Sequence, residues 1–352
     1  HTIVACAKHF AGYGFAEAGR EYNTGNIGIH EMQNVVLPPF RAAAEAGVAT
    51  FMNAFNDIDG VPATGSVFLQ RELLKGEWKW DGFVVSDWAS IAEMVTHGYA
   101  TDLKHAAELA IKAGSDLDME GNAYEKNLET LVTEGKVDLS LIDDAVRRIL
   151  RIKFRLGLFD DPYRYCDENR EKTEIYTPEH LAVARDAARK SVVLLKNEKN
   201  ILPLKKSGGG IAVIGPLADD KDTPIGNWRA QGMANSAVSF LEGIENALGS
   251  EVPFEKGVDL SIGKRSFMLP MTFNTTDRSG IPAAVALAKR SEVVLMVVGE
   301  DAFQSGEGRS QTNIGLAGLQ HELIEEVYKV NKNIVLVVMN GRPLDLSWYA
   351  ER

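Results

Sequence analysis

In Gly82-Phe83-Val84-Val85-Ser86-Asp87-Trp88 a short apolar run ends in a carboxylate, and an indole follows at once. A buried parallel strand reads as such a run. An acid at its carboxyl tip faces a pocket, because α/β sheets and barrels place their sites there. A carboxylate beside a flat apolar ring suits a sugar: the acid meets the anomeric carbon and the ring covers the C–H face. The plainer reading makes Asp87 the cap of a helix starting near Ala89. Lys8-His9-Phe10 ends another apolar run with a cation and an imidazole. Both can donate to hydroxyls, and Lys8 would hold a nearby carboxylate ionised; the alternative is a structural salt bridge. Arg20-Glu21-Tyr22-Asn23 follows Gly12-Tyr13-Gly14, either walling a pocket or crossing solvent. Further on, Val293 to Gly299 leads into Glu300-Asp301 and then Ser305-Gly306-Glu307-Gly308-Arg309-Ser310. A lone Glu in a glycine-rich loop is ordinarily just solvated. Glu307 gains interest because hydrolysis of an acetal bond needs a second carboxyl group.

Other chemistries find little support. Gly306-Glu307-Gly308 is no dinucleotide fingerprint, and no phosphate loop occurs. No cofactor is implied. The 7 histidines are scattered, and His321-Glu322-x-x-Glu325 lacks the second His of a zinc helix, so no metal is expected. No G-x-S-x-G elbow is present. A net charge of -11 repels nucleic acid and anionic membranes. An enzyme gripping a phosphorylated ligand is disfavoured by the same acidity. No unbroken apolar run reaches the ~18 residues of a membrane span, and no signal peptide is visible. Cys6 and Cys166 form neither a disulfide framework nor a metal-ligand spacing. One Asn-x-Thr sequon begins at Asn274. A homodimer is allowed by the sequence.

The elements that must hold these residues alternate. Apolar runs at 3–10, 49–55, 83–86 and 115–119 predict strands, with helical patterns at 30–46, 66–76, 103–113, 122–134 and 139–156 between and after them. Strand–helix alternation with apolar strands predicts a parallel sheet. Lys8, His9, Asp87 and Asp118 fall at its strand ends. Residues 161–177 are polar and read as a linker. Pro178 opens a helix capped by Thr177. A second alternation follows, with strands expected at Val192–Leu195, Ile211–Gly215, Val293–Gly299 and Ile334–Met339 and helices near 180–190, 238–248, 280–290 and 318–330. This predicts an open, doubly wound sheet over 178–352. Gly208-Gly209-Gly210 reads as a flexible run.

Taken together these stretches resemble glycoside hydrolase family 3, the family of β-glucosidases and β-xylosidases, in its bacterial periplasmic branch. Lys8-His9-Phe10-Ala11 is similar to the family's K-H-F motif. Arg20-Glu21-Tyr22-Asn23 with Leu37-Pro38-Pro39-Phe40 matches its next landmark, and Phe83 to Trp88 its nucleophile motif. Ser191 to Asn197, Leu202-Pro203-Leu204, Ile211 to Pro216 and Met339 to Leu344 follow in the family's order.

The resemblance implies a TIM-like β/α barrel followed by an α/β sandwich, with residues 1–160 as the carboxyl-terminal half of the barrel and 178–352 as an incomplete sandwich. About four barrel strands are readable where a complete barrel has eight over roughly 250 residues. The chain therefore reads as an internal piece of a longer enzyme; the family's upstream Asp and Arg, which hold the distal hydroxyls, are not in it. The resemblance assigns Asp87 as nucleophile and Glu307 as acid/base, with Glu300 as fallback. Lys8, His9, Trp88 and Met52 would contact the sugar, with Arg20 in support. Retention would need the two carboxyls about 5–5.5 Å apart. Phe55 stands where many members carry a Tyr. Tyr13 stands where the N-acetylglucosaminidase branch carries a second His, which disfavours that branch. The implied activity is exo-acting hydrolysis of terminal β-D-glucosyl residues from an oligosaccharide or β-glucoside, in the periplasm or outside the cell. The alternatives are a β-xylosidase, or a sugar-binding piece without turnover.

Overall fold

The computed structural model describes residues 3–198, 200–206, 210–267 and 269–352. Gly208 and Gly209 of the glycine run, and His1 and Thr2 of the opening segment, lie outside the described residues. The fold is α/β. It divides into two compact units, His1–Ala184 and Arg185–Arg352, with the division inside the helix Pro178–Ser191.

The first unit is built in chain order from β1 (Cys6–Phe10), β2 (Thr50–Asn53), a small hairpin of β3 (Asp57–Ile58) and β4 (Val61–Pro62), and β5 (Phe83–Val85). β1, β2 and β5 form one parallel sheet in that order. Parallel neighbours need long crossovers. Here these are the helical residues 29–45 and the helix Phe68–Glu77. Aromatic rings fill the core beneath the sheet: Phe10 and Phe51 meet edge-on at 5.2 Å, and Phe51 meets Trp80 at 4.9 Å. Trp80 is buried because its one polar atom is satisfied, Nε1 donating to the Val48 carbonyl at 2.7 Å. A second cluster around Ile91, Met94, Ile111 and Leu131 joins the helices Ser90–Thr96, Leu103–Ala113 and Ala123–Thr133.

Two expected strands are corrected. Residues 115–119 run beside β5 but are not a regular strand, pairing only through the bridge Val85–Leu117. Side chains take over ladder positions there. Asp116 Oδ2 accepts from the Val84 amide at 2.8 Å, and Ser86 Oγ accepts from the Met119 amide at 2.8 Å. Val192–Leu195 is no strand either. All four side chains are exposed, Val192 at 79%, and no strand pairs with them among the described residues. The polar stretch 161–177 contains a short helix, Glu168–Glu174, capped by Asp167. The helix from Pro178 has the expected cap, Thr177 Oγ1 accepting from His180 N at 3.2 Å.

The second unit carries β6 (Ile211–Ile214), β7 (Phe254–Glu255), β8 (Val293–Gly299) and β9 (Ile334–Met339), all parallel, in the order β7-β6-β8-β9. The chain steps from β6 to one side and then to the other, so the order reverses between β6 and β8. Alternation along the strands feeds two cores. Ala212, Ile214, Val294, Met296 and Val298 pack on the helices Ile281–Lys289 and Gln320–Val330; Val213, Leu295 and Val297 pack with Leu217 and Leu241. The sequon is structural: Asn274 is 1% exposed, its Oδ1 accepts from the amides of Thr276 and Asp277, and its Nδ2 donates to the Asp277 carbonyl. Cys6 and Cys166 are exposed free thiols. Among the described residues no helix is long and apolar enough to cross a membrane.

Candidate active site

Asp87 follows β5 at the carboxyl end of the parallel sheet and is 8% exposed. Its Oδ1 accepts from the Trp88 amide at 2.7 Å. Its Oδ2 is buried, accepts no hydrogen bond, and lies 3.3 Å from His9 Nε2 at the end of β1. The carboxylate is not a helix cap: Ser90–Thr96 has Ala89 at its N-cap and no side-chain cap. Asp87 therefore has one oxygen fixed by the backbone and the other desolvated beside the His9 imidazole.

His9 is held at one edge by Tyr13, ring centroids 5.2 Å apart. Lys8, on the same strand, is exposed and makes no ion pair with Asp87. The cationic neighbour expected from Lys8 is thus replaced by an imidazole. Trp88 is 61% exposed, leaving its indole open for stacking. Met52 is half-buried on β2, in register with Val85. Arg20 is exposed in its loop, its carbonyl accepting from Asn23 Nδ2 at 3.3 Å. Phe55 packs edge-on against Tyr22 at 4.9 Å. Asp118, at the next strand-end position, is committed elsewhere: its Oδ2 accepts from the amides of Ala123 and Tyr124 and caps the following helix.

In the second unit the loop after β8 leaves the sheet where its order reverses, the place at which open α/β sheets bind ligands. Glu300 is 4% exposed. Its Oε1 lies 2.9 Å from Arg342 Nε and its Oε2 accepts from the Gly341 amide at 3.2 Å. With both oxygens engaged, Glu300 anchors the loop. Asp301 ion-pairs with Arg265, which also reaches Asp220 Oδ2 at 2.8 Å. Asp220 is partly buried, which pushes its pKa up. The amides of Thr223 and Asp222, with Arg265, outweigh that and hold it below the ordinary 3.8. Glu307 is half-buried at the tip of this loop. It sits between Gly306 and Gly308, whose φ angles of 108° and 66° lie in the region that favours glycine. An aromatic pair, Trp228 and Phe267 at 5.7 Å, lies on segments bordering the loop. Asn227 packs on Gly306, and the Phe267 carbonyl accepts from Arg309.

Sequence reading missed Trp228, Arg265 and the buried ion pair of Lys75 with Asp116 (2.7 Å) below Asp87. An isolated Trp or Arg in a loop carries no periodic signal. Lys75 and Asp116 are also far apart in the chain. Among the described residues no group of three His, Cys, Asp or Glu side chains could hold a metal ion.

A parallel-sheet carboxylate over an imidazole, and an α/β sheet with acids at its switch point, define a family when their sequences are matched. Residues 1–152 match the glycosyl hydrolase family 3 N terminal domain and residues 192–352 the glycosyl hydrolase family 3 C-terminal domain. The chain belongs to glycosyl hydrolase family 3. It is 39% identical to a periplasmic β-glucosidase of Salmonella typhimurium, over 98% of this chain and 47% of that protein. It is 34% identical to a β-xylosidase of Formosa agariphila, over 99% of this chain and 48% of that one. The crystal structure of a β-glucosidase from Listeria innocua superposes with a TM-score of 0.89 at 37% identity, covering 99% of this chain and 46% of that one. The chain spans about half the length of the curated relatives it matches.

Proposed function

We propose that this chain carries the catalytic carboxylates of a retaining, exo-acting β-glycosidase that removes terminal non-reducing β-D-glucosyl residues. One observation carries the reading: Asp87 stands at a strand tip with one oxygen bonded to the backbone and the other desolvated beside His9. In the first step Asp87 attacks the anomeric carbon, and Glu307 gives its proton to the departing glycosidic oxygen. The sugar is left as an ester on Asp87. In the second step Glu307 takes a proton from water as the water oxygen attacks the same carbon, releasing Asp87 and a sugar of retained configuration. Glu307 is preferred over Glu300 because it stands at the tip of the glycine-flanked turn, whereas Glu300 is buried and anchors the stem of the loop through Arg342 and the Gly341 amide. His9 orients Asp87 and donates to sugar hydroxyls, Lys8 reaches others from the exposed side of β1, and Trp88 and Met52 line the ring. Arg20 supports that wall.

A β-glucosidase named as periplasmic among the relatives supports the glucosyl reading and a periplasmic or secreted location. A β-xylosidase relative supports xylose as the second choice. The test uses the natural full-length protein. A 2-deoxy-2-fluoro-β-glucoside with a good leaving group is expected to add one sugar mass to the peptide containing Asp87. Faster labelling by the xylosyl analogue would change the sugar assigned, and a label on any other residue would overturn the mechanism.

A further inference from the structure

Residues 306–309 form a four-residue turn closed by the Arg309 amide donating to the Gly306 carbonyl at 3.2 Å, with Glu307 at its first corner. Flanking glycines give this corner more backbone freedom than any other residue pair would. A carboxyl group that must deliver a proton to one oxygen cannot wander by an ångström without a large loss of rate. Something must therefore hold the turn.

The structure assigns that task to Arg309: we propose that its side chain is the positioning residue of Glu307. Its Nε donates to the Phe303 carbonyl at 2.9 Å, folding the turn back on its own stem. Its Nη2 reaches across to a second loop, donating to the carbonyls of Ser266 at 3.2 Å, Phe267 at 2.5 Å and Leu269 at 3.0 Å. One planar cation thus staples the loop tip to a second loop through main-chain oxygens alone. Guanidinium is suited to this because its donors fan out in one plane and it stays charged at every working pH. The stem is fixed separately, by Glu300 with Arg342 and by Arg229 stacked 4.8 Å over Phe303. Arg309 acts on the tip, where the carboxyl is.

This inference rests on the assignment of Glu307 as acid/base, and the test separates the two. Wild type, Arg309→Ala and Glu307→Ala are compared in the full-length protein on aryl β-glucosides ranging from 2,4-dinitrophenyl, which leaves unaided, to phenyl, which needs a proton. The quantity read is kcat/KM, which reports glycosylation and not turnover of the ester. Arg309→Ala is expected to lose about 10²-fold on the phenyl glucoside and little on the dinitrophenyl one, with the melting temperature essentially kept. Glu307→Ala is expected to show the same slope, more steeply. An equal loss on every leaving group in Arg309→Ala, beside a steep slope in Glu307→Ala, would overturn the positioning role alone. A flat response in Glu307→Ala would overturn the acid/base assignment and the staple with it.

Discussion

Asp87 stands on the end of a parallel strand with one oxygen already bonded to the chain, whereas Glu307 stands at the tip of a turn between two glycines. The first is positioned from below. Asp116 holds the Val84 amide, Lys75 neutralises Asp116, and the sheet carries both. The second is positioned from the side, by a guanidinium that grips main-chain carbonyls of another loop. A nucleophile forms a bond with carbon and must approach along one line. An acid/base must serve two oxygens in turn, first the leaving group and then water. On the proposed roles of Asp87 and Glu307, a strand tip suits the former task and a stapled turn the latter.

The largest effect that could break this comparison is loss of the nucleophile. Asp87→Asn is expected to lower kcat by roughly 10⁴- to 10⁶-fold, the scale seen when a nucleophile is removed from a preorganised site. Steady-state hydrolysis of an aryl β-glucoside reads it. Activity within tenfold of wild type would mean that the desolvated oxygen is not the attacking one. Next comes Glu307→Ala, expected to cost about 10²–10⁴-fold on a phenyl glucoside. Azide should restore turnover of the dinitrophenyl glucoside and yield a β-glucosyl azide. Rescue in Glu300→Ala instead would move the acid/base to the stem of the loop and dissolve the contrast.

Much of this arrangement was legible before the structure. β8 and β9 lie where continuous apolar runs place them, β8 buried along nearly its whole length and β9 half-buried at every position. β5, the strand leading into Asp87, was legible from its apolar run as well. Val192–Leu195 has the same composition and is not a strand, since apolarity says nothing about whether a neighbour offers amides and carbonyls. Residues 115–119 occupy the expected place but are irregular because Asp116 and Ser86 bond in the ladder's stead. Lys8 and His9 are adjacent in sequence, and only backbone geometry decides that His9 meets Asp87. The supports of both acids were illegible. Each joins residues some forty positions apart, Lys75 to Asp116 and Arg309 to Ser266 and Leu269.

The support beneath Asp87 sharpens the comparison through stability. Lys75 and Asp116 side chains are 5% and 0% exposed, and burial brings Lys75 down to about 8 despite the opposing charge of Asp116. Lys75→Met leaves a buried carboxylate unpaired and is expected to cost about 3–5 kcal/mol in denaturant unfolding at neutral pH. Replacing both, Lys75→Met with Asp116→Leu, should cost less than the single change, because the stranded charge is then absent. A loss under about 1 kcal/mol would put the pair in the class of exposed bridges and deny the strand tip its rigid base.

The smallest effect concerns the second unit, whose loop stem rests on Asp220, Arg265 and Asp301. Asp220 is held below 3.8 when folded. As pH falls through that value the unfolded chain takes up a proton first, so the stability this carboxylate provides is present above 3.8 and drains away below it. Its partial exposure limits the contribution to about 1 kcal/mol or less. Asp220→Asn should therefore lower the midpoint of urea unfolding slightly at neutral pH and leave it unchanged once both forms are protonated. The wild-type and variant curves should converge on acidification. Parallel curves would show that Asp220 acts through its amide hydrogen bonds alone.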